Sequence, residues 1–230
     1  MKPLDVLFED NHIIAINKRC GDIVQGDKTG DRTLGDDVKD YLKGKYNKPG
    51  NVFLGVTHRL DRPTSGTVLF ARTSKALTRL NEMFKEEGAI RKTYWAVTDK
   101  KPELLSCQLN HWLVRDTKQN KSFAFSAERN ESKKASLTYH YKGSSDRFHL
   151  IEIELHTGRH HQIRAQLAAL GLHIKGDLKY GFSRSNSDGG IHLHARKIEF
   201  THPVTGEGII IVAPPPNDPV WNYFTGKFNS

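Results

Sequence analysis

The chain has 230 residues, 35 basic against 26 acidic side chains, and a net charge of +9. That length is enough for one large domain with a sizeable core, and 37% hydrophobic with 27% charged residues describes a globular protein. No apolar run approaches a membrane span, the start MKPLDVLFEDNH lacks the apolar core of a signal peptide, and two distant cysteines, Cys20 and Cys107, make neither a disulfide framework nor a zinc cluster.

A cytoplasmic monomer without a membrane partner is therefore the default expectation. A pI near 9.5 points to a polyanionic partner, with nucleic acid only slightly ahead on charge alone.

Val6–Phe8 and Ile13–Ile16 are short apolar runs around Glu9-Asp10-Asn11, the pattern of a hairpin. Residues 25–35 read as a loop, Asp36–Leu42 as a short helix, and Lys43–Asn51 as a connection. Thr67–Ala71 is an apolar strand. Thr73 or Ser74 then caps a helix running to about Glu87, with Leu77, Leu80 and Phe84 on one face and Gly88 ending it.

Lys92–Thr98 reads as a strand whose alternation puts Tyr94 and Ala96 on one face and Trp95 and Val97 on the other. The charged stretch 115–134 reads as an exposed loop. Ser136–Tyr141 and Leu150–Leu155 are strands, and His160–Leu170 a helix stopped by Gly171. Lys197–Phe200 and Gly208–Val212 form a last hairpin. Strands outnumber helices and come in runs, so the expected class is α+β with a mixed or mostly antiparallel sheet.

The segment carrying most chemistry is His58-Arg59-Leu60-Asp61-Arg62-Pro63-Thr64-Ser65-Gly66. Flanking guanidinium groups keep a carboxylate ionised, and an ionised carboxylate on a rigid loop can act as a nucleophile. A surface ion pair beside a turn explains the same spacing, and on spacing alone it is the better reading.

HRLDRPTSG, however, resembles the HRLDxxTSG signature of the RluA-type pseudouridine synthases. VLFEDNHIIAINKRCGDIV resembles that family's opening strand pair around "NKPxG". RLNEMFKEEGAIRKTYWAVT resembles its helix and strand carrying an active-site tyrosine, and LHTGRHHQIRAQLAALGLHIKGDLKYG its arginine motif. IHLHARKIEFTHPVTGE resembles its closing strands. The resemblance covers about residues 6–213. It departs at Arg19-Cys20, where proline often follows the lysine, and at His160, where threonine is common.

The resemblance implies one pseudouridine synthase catalytic domain over 1–230, with helices flanking a central sheet and a catalytic cleft across it. The S4-type RNA-binding domain that many relatives carry at the amino terminus is not expected. It implies isomerisation of uridine to pseudouridine in a tRNA or rRNA stem-loop, without a cofactor. It carries over Asp61 as nucleophile, Arg164 as the salt-bridge partner of Asp61, and Tyr94 as the ring stacked on the target base. Arg59, Arg62, Lys92, His161 and Gln162 are the expected RNA contacts, Arg59 filling the space left by a flipped base or holding a phosphate.

Two other readings remain at this point. A non-catalytic RNA-binding module is permitted by the charge. A metal-dependent hydrolase would use His192 and His194, which on a strand would share a face; no HExxH pattern accompanies them.

Overall fold

A computed structural model describes residues 3–26 and 30–228. The strands are β1 (Val6–Glu9), β2 (Ile13–Lys18), β3 (Gly55–Val56), β4 (Ser65–Ala71), β5 (Ile90–Thr98), β6 (Ser106–Asp116), β7 (Lys121–Phe125), β8 (Lys133–Ser144), β9 (His149–Leu155), β10 (Leu193–Thr201) and β11 (Gly208–Val212). The helices are α1 (Leu34–Lys45), α2 (Ser74–Lys85), α3 (Gln162–Ala169) and α4 (Pro219–Phe228).

All eleven strands join one sheet in the order β1-β2-β4-β10-β5-β9-β8-β6-β7, with β3 also on β4 and β11 also on β10. Every pairing is antiparallel except β4 with β10. The α+β class with a mixed, mostly antiparallel sheet is what the chain adopts.

The two-residue period of the central strands builds the core on both faces. Ile14, Ile16, Val68, Phe70, Tyr94 and Ala96 point to one side, where α1 supplies Leu34, Val38 and Leu42 and α3 supplies Ile163 and Leu167. Ile13, Ala15, Leu69 and Ala71 point to the other, against Ala76 and Leu80 of α2. Trp95, Val97 and Leu150 on that second side take Trp221 and Phe224 of α4. At about 25 cal/mol per Å² of apolar surface, such burial is the main stabilising term.

The caps follow local chemistry. Thr73, not Ser74, caps α2 by accepting a hydrogen bond from the Ala76 amide, and α2 ends at Lys85. Thr33 and Asp36 form a capping box, so α1 starts before Asp36 and runs beyond Leu42 into the stretch expected as a connection. Residues 27–29 of the expected 25–35 loop lie outside the described residues.

Two readings are corrected, and one unassigned stretch proves to be helical. The 115–134 stretch is not a loop throughout: it holds the end of β6, the tight return into β7 and the start of β8. Leu109 and Leu113 are the buried residues of β6 but stand four apart, with Asn110, His111 and Trp112 between them, so the strand period is faint. The third helix starts at Gln162 rather than His160, because His161 lies in the left-handed region at φ 52° and turns the chain sharply. His160 is therefore not on one helical face with Arg164. Residues 219–228, unassigned from sequence, form α4.

Candidate active site

The loop Leu60–Thr64 enters β4 at the one parallel pairing of the sheet, where Ser65 and Gly66 lie beside His194 and Ala195. Gly66 is required here. It has φ +114°, and a Cβ would sit 2.5 Å from the Ala195 nitrogen. The loop is tied down on every side. The Thr64 amide donates to Asp61 O at 3.0 Å, Gly21 N to Arg62 O at 2.8 Å, and Ile191 N to Pro63 O at 3.0 Å.

Lys18, 1% exposed, donates to Arg62 O (3.1 Å), Thr64 O (2.7 Å) and Arg19 O (2.9 Å). Burial pulls its pKa down to about 8. At the near end, His58 Nε2 accepts from the Leu69 amide, and its ring stacks on Phe84 of α2.

This frame holds the Asp61 carboxylate partly exposed, between α3 and the sheet. Arg164 Nη1 donates to Asp61 Oδ2 at 3.2 Å, and His161 Nε2 lies 3.6 Å from the same oxygen. The rest of the Arg164 fork goes elsewhere: Nε and Nη2 donate to the two oxygens of Asp177 at 2.7 and 2.8 Å. The bidentate grip is thus on Asp177, while Asp61 receives a single hydrogen bond. Burial opposes the charge on Arg164, but the hydrogen bonds and charge of Asp177, with Asp61, outweigh it and raise its pKa.

Asp61, Arg164 and Tyr94, distant in sequence, line one cavity of about 170 Å³. A second opening of about 370 Å³ shares Asp61, Arg59, His160, His161 and Arg164 with it. Together the two are lined by Arg59, Arg62, Arg115, Arg159, Arg164 and Lys179, and Asp61 is the only carboxylate among their described lining residues. Tyr94, from β5, is buried, and burial, with the charge of Asp61 adding to it, pushes its pKa upward and keeps the phenol protonated.

The expected RNA contacts divide. Arg59 and Arg62 are exposed at the mouth, Arg62 Nη1 lying 3.5 Å from Asp31. Lys92 is half-buried in neighbouring grooves that share Leu155 and Arg159 with the central cavity, and burial lowers its pKa. His161 and Gln162 line the cavity but are buried and engaged internally. His161 Nδ1 meets the Tyr180 hydroxyl at 3.1 Å. Gln162 accepts from Thr157 Oγ1 and Arg159 N and donates to Ser136 O.

Residues 12–169 match the RNA pseudouridylate synthase family. The chain belongs to this family. It is 34% identical to an uncharacterised RNA pseudouridine synthase of Bacillus subtilis, YhcT, over 94% of this chain and 70% of that one. It is 31% identical to tRNA pseudouridine synthase C of Salmonella typhi over 91% of this chain and 85% of that one. It is 30% identical to ribosomal large subunit pseudouridine synthase D of Zymomonas mobilis over 94% and 70%. In fold it matches the solved human RNA pseudouridylate synthase domain containing 4, with a TM-score of 0.78 at 23% identity, covering 98% of this chain and 93% of that one. The chain is an isomerase acting on RNA.

Membership in this family does not favour the two other readings. His192 and His194 are also placed otherwise: the His192 ring stacks on Trp221 with Nε2 2.8 Å from Asp218, while His194 Nδ1 meets Ser65 Oγ and Nε2 the carbonyl of Ala213. No helix among the described residues is long and apolar enough to cross a membrane.

Sequence reasoning missed Asp177, Tyr180 and Lys18 as members of this site. All three lie inside stretches that carried the resemblance. A buried acid 13 residues beyond a buried arginine has no periodic signature, and the adjoining glycines were the one local clue.

Proposed function

We propose that the chain converts uridines of tRNA or rRNA stem-loops to pseudouridine with Asp61 as nucleophile, as a single catalytic domain, monomeric and cytoplasmic. The observation that carries this reading is Asp61 itself: among the described residues it is the only carboxylate lining two joined basic cavities, with one oxygen held by Arg164. The names of two relatives, one a tRNA and one a ribosomal large subunit synthase, support those RNA classes.

In the reaction the N1–C1′ bond breaks, the uracil turns over, and a C5–C1′ bond forms. C5 loses a proton and N1 gains one, so the atoms balance without a redox cofactor. Addition of Asp61 to C1′ and proton removal by Asp61 at C2′ both require an ionised carboxylate.

Tyr94 stacks on the flipped uracil and its hydroxyl takes part in removing the C5 proton. Burial, with the charge of Asp61 adding to it, keeps that phenol protonated before the reaction begins. Arg59 and Arg62 at the mouth, with Lys92 beyond, contact the RNA backbone. Unstacking the base costs a few kcal/mol, least in a loop, and the cavity recovers it. The test is release of tritium from [5-³H]uridine-labelled RNA: the wild-type chain releases it, and Tyr94→Phe binds the RNA but releases it much more slowly.

A further inference from the structure

Both side-chain contacts of Asp61 fall on one oxygen. Arg164 Nη1 and His161 Nε2 approach Oδ2, and among the described residues Oδ1 has no partner. Both donors are in turn held by the short segment Gly176–Gly181. Asp177, 1% exposed, takes two nitrogens of Arg164. Tyr180, also buried, meets His161 Nδ1 with its hydroxyl, and the Arg164 guanidinium carbon lies 4.9 Å from its ring centroid.

The segment has little room to shift. A Cβ on Gly176 would stand 2.7 Å from Gly190 O, and one on Gly181 2.7 Å from the His173 ring; both glycines have positive φ.

Hydrogen-bond accounting then sets the state of His161. The Tyr180 oxygen accepts from Ser122 N at 2.8 Å. Its single proton can go to Ser122 O or to His161 Nδ1, each 3.1 Å away. In the first case Nδ1 must carry the imidazole proton, and the Nε2 lone pair would face a carboxylate. In the second, Nε2–H faces it. The carboxylate selects the second. Burial, then the charge of Arg164, holds this imidazole neutral, with a pKa pushed down to about 2.

We propose that Asp177 and Tyr180 are positioning residues of this site: Asp177 locks the fork of Arg164, Tyr180 locks the Nε2–H tautomer of His161, and both donors address Oδ2 of Asp61 so that Oδ1 is the oxygen that reacts. The claim about Oδ1 rests on the reading of Asp61 as nucleophile. The 3.6 Å separation of His161 from Asp61 is longer than a hydrogen bond, so in the free chain this N–H acts on Oδ2 as an oriented dipole.

The experiment uses two readouts on the purified full chain. The first is tritium release from [5-³H]uridine-labelled total RNA of cells lacking the gene. The second is ¹⁵N NMR of the histidine rings of the free protein. Groups that orient the ligands of a metal site are typically worth roughly 10- to 100-fold, and an effect of that order is expected of groups that orient a reacting side chain. Tyr180→Phe, which removes one hydroxyl, is expected to lower kcat roughly 10-fold with KM changed less than about 2-fold, and to turn His161 from one Nε2–H tautomer into a mixture. Asp177→Asn is expected to lower kcat by about 10-fold or more, again with little change in KM; if it fails to fold, Tyr180→Phe decides the matter alone.

Wild-type kcat in Tyr180→Phe, or an Nδ1–H tautomer of His161 in the wild-type protein, would overturn the proposal. No tritium release by the wild-type chain would instead overturn the reading of the reaction. The NMR result still judges the locking of His161.

Discussion

Arg164 gives Asp177 two nitrogens, at 2.7 and 2.8 Å, and gives Asp61 one, at 3.2 Å. One guanidinium thus satisfies a buried acid and still reaches the candidate nucleophile. A lysine is a point donor and cannot span both. Arg164→Lys is therefore expected to lower turnover by at least about 100-fold. With Asp177 buried and poorly paired, it is also expected to cost about 3–5 kcal/mol of stability. Tritium release and urea unfolding check the two parts separately.

The parallel contact of β4 with β10 sets a second expectation. Gly66→Ala would drive a methyl group into the Ala195 backbone at a φ that favours glycine. Overpacking and backbone strain together are expected to cost about 2–4 kcal/mol. Activity would fall with them, because the 61–64 loop is anchored on this junction. A melting temperature equal to that of wild type would show that the junction is looser than described.

Acid should weaken the fold through two buried histidines. Burial, then the charge of Arg164, pushes the His161 pKa from 6.5 down to about 2. Burial pushes that of His194 from 6.5 down to about 4, against a raising contribution from its hydrogen bond to Ala213 O. The unfolded chain takes up these protons below pH 6.5 and the folded chain does not. Stability is therefore fully present above pH 6.5 and is lost as the pH falls from there toward 4. Each histidine accounts for up to about 1.4 kcal/mol per pH unit in that window. Urea unfolding at pH 7, 6 and 5 checks this, and His194→Gln should flatten the slope.

How much of this was legible in the sequence depended on the range of the interaction. The alternation of Tyr94 and Ala96 against Trp95 and Val97, the Thr73 cap and the α+β class follow from local chemistry. The loop carrying Asp61 was legible through the resemblance of HRLDRPTSG to a family signature, since its charge and turn residues alone fit a surface ion pair better. The Asp177–Arg164 pair was not, since beyond the glycine beside Asp177 nothing local marks two buried partners on different elements. β6 escaped because its buried leucines are sparse. The break between His161 and α3 escaped because histidine adopts positive φ only where surrounding structure demands it.

RNA binding is expected to be mainly electrostatic, given six basic side chains around the two cavities and a net charge of +9. With about −0.7 per phosphate neutralised on single-stranded RNA, the log–log salt slope should lie between about −2 and −4. Filter binding of an RNA stem-loop from 50 to 300 mM salt, roughly the range where screening changes most, gives the slope. Arg59→Ala should reduce it by about one contact.

The most direct measurement is tritium release by Asp61→Asn, with contaminating host synthase excluded. The amide keeps the shape of the side chain and its reach to Arg164 Nη1, but it is a poor nucleophile. RNA affinity should be kept or slightly raised, since one negative charge leaves a basic cavity. Pseudouridine formation should be absent, and stability reduced by no more than a few kcal/mol. A folded Asp61→Asn protein that still makes pseudouridine at an appreciable rate would show that another group is the nucleophile.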